Sequence, residues 1–285
     1  MGELVTVRVC EGISRGFAAD ARARIAAVVG GADALVESLR VRVGTIGAAG
    51  SPDGADRAGV LAQVNAEVDG RRIRVQEAAA DLGEALDRLA DGLRARMTAV
   101  TAGWTPRPWP RRIRTRALPT AAGPGLPEDR RTAVARTAVV EAAAAEAAVA
   151  RAGLPYPARS QRIVRRKQAQ LVWCSPDAAA RTMDAMDYDI HLFTDPATET
   201  DAVVYRVGPT GYRLARTVAA GPPTRPAVPL TLSPCGAPEL TEDQAVGRLT
   251  AAELPYLFFA QPGSGRGRVL YRRFDGGLGL IAAAS

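Results

Sequence analysis

Histidine occurs once in this 285-residue chain, cysteine three times, and aromatic residues make up only 5% of it. The lone histidine, His191, sits between Ile190 and Leu192 in an apolar strand pattern, a structural position rather than a catalytic one. No nucleophile comes with a base, and no cofactor fingerprint is present, so the sequence does not read as an enzyme. Asp184, Asp187 and Asp189 are close in sequence but bring no ligand set of metal-site spacing. Gly263-Ser264-Gly265-Arg266-Gly267 has the look of a phosphate loop but lacks the Lys-Ser/Thr and the following helix, and reads as a hairpin turn. No metal or cofactor is expected. Cys10, Cys174 and Cys235 are odd in number and far apart, which excludes a disulfide framework or zinc knuckle and fits reduced thiols in a cytoplasm. The apolar stretch 138–150 is interrupted by Glu141 and Glu146 and cannot span a membrane, and MGELVTVRVCEG is not a signal peptide.

What is abundant is arginine, and it is unevenly placed. Residues 1–102 are near neutral, at −1, whereas residues 103–168 carry +10, more than the +7 of the whole chain. Within the basic segment, GWTPRPWPRRIRTR interleaves Trp104 and Trp109 with Arg107, Arg111, Arg112, Arg114 and Arg116. Pro106, Pro108 and Pro110 favour an extended path. Aromatics among arginines suit single-stranded RNA, by stacking and phosphate contact. The bland reading of the basic stretch is a solubilising linker, and the two indoles are equally readable as folding back to cap the N-terminal domain. Residues 128–152 are Ala-rich and helix-prone, with few large apolar residues to pack.

Residues 1–102 read as β-α-β-β-β-α. Val5, Val7 and Val9 alternate as a strand, and Phe17, Ala21, Ile25, Val28 and Val29 recur at helical spacing. Strands follow around Leu39–Val43, Val60–Val68 and Ile73–Val75, with Asp69-Gly70 as a hairpin turn, then a long amphipathic helix from about Ala78 to Val100. Strand alternation puts valine and isoleucine on one sheet face and Arg8, Arg40, Arg42, Arg72 and Arg74 on the other, against a single carboxylate, Glu67. Arginine binds phosphate bidentately and does not deprotonate. Arg15, Arg22, Arg24, Arg88, Arg94 and Arg96 on the helix flanks are further candidate phosphate contacts.

The C-terminal part repeats itself 66 residues apart: Phe193 falls on Phe259, Pro196 on Pro262, Val203 on Val269, Tyr205 on Tyr271, Arg206 on Arg272, Gly211 on Gly277 and Leu214 on Leu280. A fixed offset marks a duplicated structural unit. The expected organisation is α+β: the N-terminal domain over 1–102, a basic arm and helical linker over 103–161, and two small β-α-β-β-β modules over 162–219 and 224–285. Each module's helix has a cap, Ser175-Pro176 and Thr241.

The helix followed by FF, a glycine turn and VLYRRFDGGLGLI resembles the C-terminal domain of long-form bacterial ribosome hibernation promoting factors. TPRPWPRR and MDAMDYDIHLFTD point to the actinobacterial branch with two C-terminal modules. The resemblance implies a cytoplasmic translation inhibitor of stress, dormancy or hypoxia, whose N-terminal domain occupies the decoding region of the small subunit and excludes messenger and transfer RNA. Its partners would be the 30S subunit and 70S ribosome, through 16S ribosomal RNA and ribosomal proteins. The rival is a stress-regulatory adaptor whose paired modules bind a protein, without a ribosome. Long-form members pair one module with its copy on a second molecule. Here two modules share a chain, and a short tether favours pairing within it, giving a monomer. Ile190, Leu192 and Val204 in one module and Leu257, Phe259 and Leu270 in the other are the candidate pairing residues.

Overall fold

The computed structural model describes residues 5–9, 16–46, 59–102, 104, 161–207, 211–223, 226–273 and 277–284. The N-terminal domain runs β1 (Val5–Val9), α1 (Gly16–Gly30), β2 (Val36–Ile46), β3 (Gly59–Val68), β4 (Arg71–Ala79) and α2 (Leu82–Thr101). Its sheet has the order β1-β2-β3-β4, with β1 parallel to β2 and the rest antiparallel. The β3–β4 turn places both Asp69 and Gly70 at positive φ, 48° and 69°, which matches the twist of a two-residue hairpin.

One sheet face is apolar and both helices lie on it. Leu39, Val41, Val64, Ile73 and Val75 meet Ala21, Ile25 and Val28 of α1 and Leu86, Leu89, Leu93 and Met97 of α2. Each large side chain so buried contributes about 1.5–3 kcal/mol. Gly92 is where α2 comes closest, since a Cβ there would stand 2.6 Å from Cγ1 of Val75. Two details differ from the sequence pattern. Ala78 and Ala79 end β4 rather than open α2, because Asp81 caps the helix by accepting the N–H of Glu84. Phe17 is 45% exposed, so the inward stripe of α1 begins at Ala21.

The C-terminal half runs β5 (Ile163–Ala169), α3 (Pro176–Ala185), β6 (Ile190–Asp195), β7 (Thr200–Val207), β8 (Gly211–Arg216), β9 (Leu230–Leu232), α4 (Glu242–Ala251), β10 (Tyr256–Ala260), β11 (Gly267–Arg272) and β12 (Leu278–Ala283). The 66-residue offset recurs throughout. Ser175 and Thr241 cap the helices, Asp187 and Glu253 follow them at φ 54°, and Glu199 and Gly265 turn the hairpins at φ 55° and 64°. Under each helix lies one core: Met183, Phe193 and Leu214 in the first, and Leu249, Phe259 and Leu280 in the second.

The sheets are not partitioned as the repeats are. Their orders are β6-β7-β8-β9 and β10-β11-β12-β5. Each takes its fourth strand, parallel to its neighbour, from the other repeat. The expected modules, 162–219 and 224–285, therefore exchange their leading strands. The cause is the connection into each helix. Val172 and Cys174 hydrogen-bond to Thr194 along the free edge of β6, and Pro238 and Leu240 do the same with Ala260 of β10. A chain held at that edge is two strands away from β8 or β12, so the strand preceding it joins the opposite sheet.

The two sheets also pack face to face, through Leu192, Val203, Tyr205 and Val269 with Ile190, Tyr256, Phe258 and Ile281 around them. Of the six candidate pairing residues, Ile190 and Leu192 lie in this cluster. Val204, Leu257, Phe259 and Leu270 instead face the helix of their own module. The period of two explains the correction: Val203, Tyr256, Phe258 and Val269, one residue away, hold the pairing face.

Candidate nucleic-acid interface

The register of the N-terminal sheet gathers its arginines into rows. Arg8 stands opposite Arg42, and Arg42 opposite Gln63. In the next row Thr6, Arg40, Asn65 and Arg74 lie side by side, and Glu67 faces Arg72 in the third. Thr6, Arg8, Arg40, Val41, Arg42 and Asn65 line a shallow depression of about 270 Å³ on this face. Arg8, Arg40, Arg42 and Arg72 are exposed, and among the described residues no ion pair engages them. A row of guanidinium groups flanked by amide and hydroxyl side chains fits phosphate and sugar. Thr6 and Asn65 supply the uncharged polar positions of that face, as strand alternation places them.

The helix arginines are differently placed. Arg24 binds Asp20 at 3.1 Å and also Asp87, carboxylates that raise its pKa further above its ordinary value. Arg88 binds Glu84 at 2.5 Å and donates to the Ala78 carbonyl at 3.1 Å. Arg94 pairs with Asp91 at 2.7 Å. Arg22 is exposed on α1. These short-range pairs, three or four residues apart for Arg24, Arg88 and Arg94, account for the domain's near-neutral balance and leave the sheet face as its cationic side. Arg15, Arg107, Trp109, Arg111, Arg112, Arg114 and Arg116 lie outside the described residues.

Arg74 and Arg96 join the N-terminal domain to the first module. Arg96 pairs with Asp187 at 3.0 Å, and both side chains are largely buried. The second oxygen of Asp187 accepts the backbone N–H of Gln76, on the outer edge of β4, at 3.0 Å. Arg74 donates to Gln63 and Gln76 and lies over the ring of Tyr188, 5.5 Å from its centre. Trp104 packs on the first module too, 6.2 Å from Tyr212 and beneath Arg181. The protein surface that receives Trp104 is the first module rather than the N-terminal domain that the sequence suggests.

Beside this junction, β5 presents Arg165, Arg166 and Lys167 on an exposed sheet edge. Burial and the positive charges of Arg165, Arg74 and Arg273 push the Lys167 ammonium below its ordinary pKa. Arg166 is held by Glu242 at 2.7 Å. His191 lies between Tyr188 and Phe193, at 6.0 and 6.3 Å, and burial lowers its pKa to about 4, so it is neutral at pH 7. Among the described residues, no cluster of three or more His, Cys, Asp or Glu is arranged to hold a metal, and no helix is long and apolar enough to cross a membrane.

The protein is thus an arginine-faced α/β domain followed by two interlocked copies of one small module. Residues 158–214 match the family described as Sigma 54 modulation/S30EA ribosomal protein C terminus. The chain is 38% identical over 232 residues to the dormancy associated translation inhibitor of Mycobacterium tuberculosis, in strains CDC 1551 and H37Rv, covering 78% of this chain and 70% of that protein. The chain belongs to the family of that dormancy associated translation inhibitor. Among solved structures, the Thermus thermophilus Protein Y N-terminal domain aligns at 21% identity over 35% of this chain and 99% of its own, with a TM-score of 0.26. A ribosomal subunit interface protein from Coxiella burnetii aligns at 12% over 35% and 98%, with a TM-score of 0.27.

Proposed function

We propose that this protein inhibits translation by placing its N-terminal domain in the decoding region of the small ribosomal subunit, where a folded domain excludes messenger and transfer RNA. The observation that carries the reading is the sheet face of Arg8, Arg40, Arg42 and Asn65, a cationic surface unopposed by ion-pairing carboxylates. Affinity then comes chiefly from phosphate contact and released counterions. The arm holding Arg111, Arg112, Arg114 and Arg116 adds to it as a second cationic segment. Pelleting with purified 30S subunits tests this. Binding at low salt that weakens steeply as salt rises is expected; protein left in the supernatant at low salt refutes it and favours the adaptor reading.

The two modules serve one another within a chain in this reading, so their pairing faces are used internally and the protein parks single 70S ribosomes. The strand exchange and the shared apolar cluster support it, because each sheet is completed by the other repeat. Light scattering of the free protein gives a monomer mass at all concentrations, and gradients of bound ribosomes show no protein-dependent disome. A concentration-independent dimer, or a disome that survives nuclease, is the contrary result.

A further inference from the structure

Asp201 and Gly267 occupy the same position of the two repeats, 66 residues apart, and they touch. Oδ2 of Asp201 accepts the backbone N–H of Gly267 at 2.8 Å, and a Cβ on Gly267 would stand 2.8 Å from that of Asp201. A position that meets its own repeat-mate lies on the approximate two-fold axis relating the modules. In an exactly symmetric pair, whatever residue sits there faces a copy of itself.

The occupants are opposites. Asp201 brings a carboxylate that is 4% exposed, and Arg266 next to Gly267 neutralises it, Nε to Oδ2, at 2.7 Å. Thr194 donates its hydroxyl to the other oxygen at 3.4 Å. The counterpart of Arg266 in the first repeat is Thr200, so the cation exists on one side only. Two copies of the first module would bury two carboxylates against each other with neither the guanidinium nor the space that glycine leaves. Like charges cannot both ionise in one such site. Two copies of the second would bring glycine to glycine and leave both copies of Arg266 without this carboxylate. We infer that Asp201, against Arg266 and Gly267, is a specificity lock by which the first module accepts the second as its partner and rejects a copy of itself. Discrimination of this kind needs a repulsive element as well as an attractive one, and the Asp201 position supplies both. The inference deepens the intramolecular reading, and rests on it only for which chain provides the second module.

Substitutions in the full chain test it, with unfolding midpoints as the readout. Gly267→Asn and Gly267→Asp introduce the same side-chain bulk, and only the second adds a charge facing Asp201. The expected result is a loss with both and at least a further tenfold loss in the folding equilibrium constant with Asp. The fourfold exchange Thr200→Arg, Asp201→Gly, Arg266→Thr, Gly267→Asp mirrors the pair across the axis and restores most of the Gly267→Asp loss. Equal losses from Asn and Asp, or an exchange variant no better than the sum of its parts, would overturn the lock. Subunit pelleting of the same variants reads the ribosome proposal separately, since that binding is assigned to the N-terminal domain.

Discussion

Asp187 and Glu253 share one place in the two repeats and one backbone conformation, φ 54°, yet Asp187 is buried against the N-terminal domain while Glu253 lies exposed. The turn after the helix is common property; its use as a docking point belongs to the first repeat. Arg96, Arg74 and the Gln76 amide all converge on Asp187 or its neighbour Tyr188.

Asp187→Gly keeps the left-handed turn, which glycine adopts freely, and removes the carboxylate. Two results are expected. The Gln76 amide, on a sheet edge with Asp187 as its acceptor, loses protection from hydrogen exchange. Binding to 30S subunits tightens severalfold, because one negative charge is removed from beside Arg74 and Arg96. Unchanged protection of Gln76 contradicts the first result, and unchanged affinity contradicts the second.

Glu199→Gly stabilises the protein. Glu199 holds φ 55° at a turn where the second repeat has Gly265 at 64°. Relief of left-handed strain in a non-glycine residue, less the entropy glycine adds to the unfolded chain, gives a gain of about 0.5–1 kcal/mol. Urea denaturation measures it, and no gain, or a loss, shows that the exposed Glu199 side chain matters more than its backbone.

His191 makes the first module acid-sensitive. Its folded pKa is lowered to about 4 by burial, against 6.5 in the unfolded chain. A base with a depressed folded pKa contributes full stability above pH 6.5 and loses it as pH falls toward 4, where the unfolded state takes up the proton first. The loss over that window is about 3 kcal/mol. His191→Leu, the residue found at the matching Leu257, flattens this part of the pH profile while the carboxylate-driven loss at lower pH remains.

Much of this architecture was legible in the sequence, and the failures share a cause. Local signals are legible: Ser175 and Thr241 cap their helices and Asp69-Gly70 turns a hairpin, as the residue types predict. The repeat offset gave the duplication, and alternation gave the arginine face. What a one-dimensional pattern does not hold is which sheet a strand joins. The β5 sequence IVRRKQA has the same period in either module, and only the contact of Val172 and Cys174 with the β6 edge sends it across. For the same reason Val204, Leu257, Phe259 and Leu270 were paired across the modules. Both faces of these strands are apolar, so hydrophobicity does not tell the helix side from the sheet side.

On the candidate RNA face, Arg40→Ala with Arg42→Ala weakens subunit binding at 50 mM salt far more than at high salt. Each lost phosphate contact lowers the salt slope by roughly 0.7–0.9. Arg111, Arg112, Arg114 and Arg116 changed together to Ala flatten it further. Arg94→Ala, whose guanidinium already binds Asp91 on an exposed helix, leaves the slope nearly unchanged. An equal effect from Arg94 and from the sheet pair would move the interface from the sheet to the helix.

The strand exchange also sets an order of events during synthesis. β5, residues 163–169, has no sheet to join until residues 278–283 of β12 have emerged, and the first module's sheet stays a strand short until β9 arrives. Neither module closes by itself, so a nascent or proteolysed chain lacking β12 loses an edge of one sheet and the docking strip for β5 together. The C-terminal half therefore closes as one unit, and only once β5, β9 and β12 are all available together.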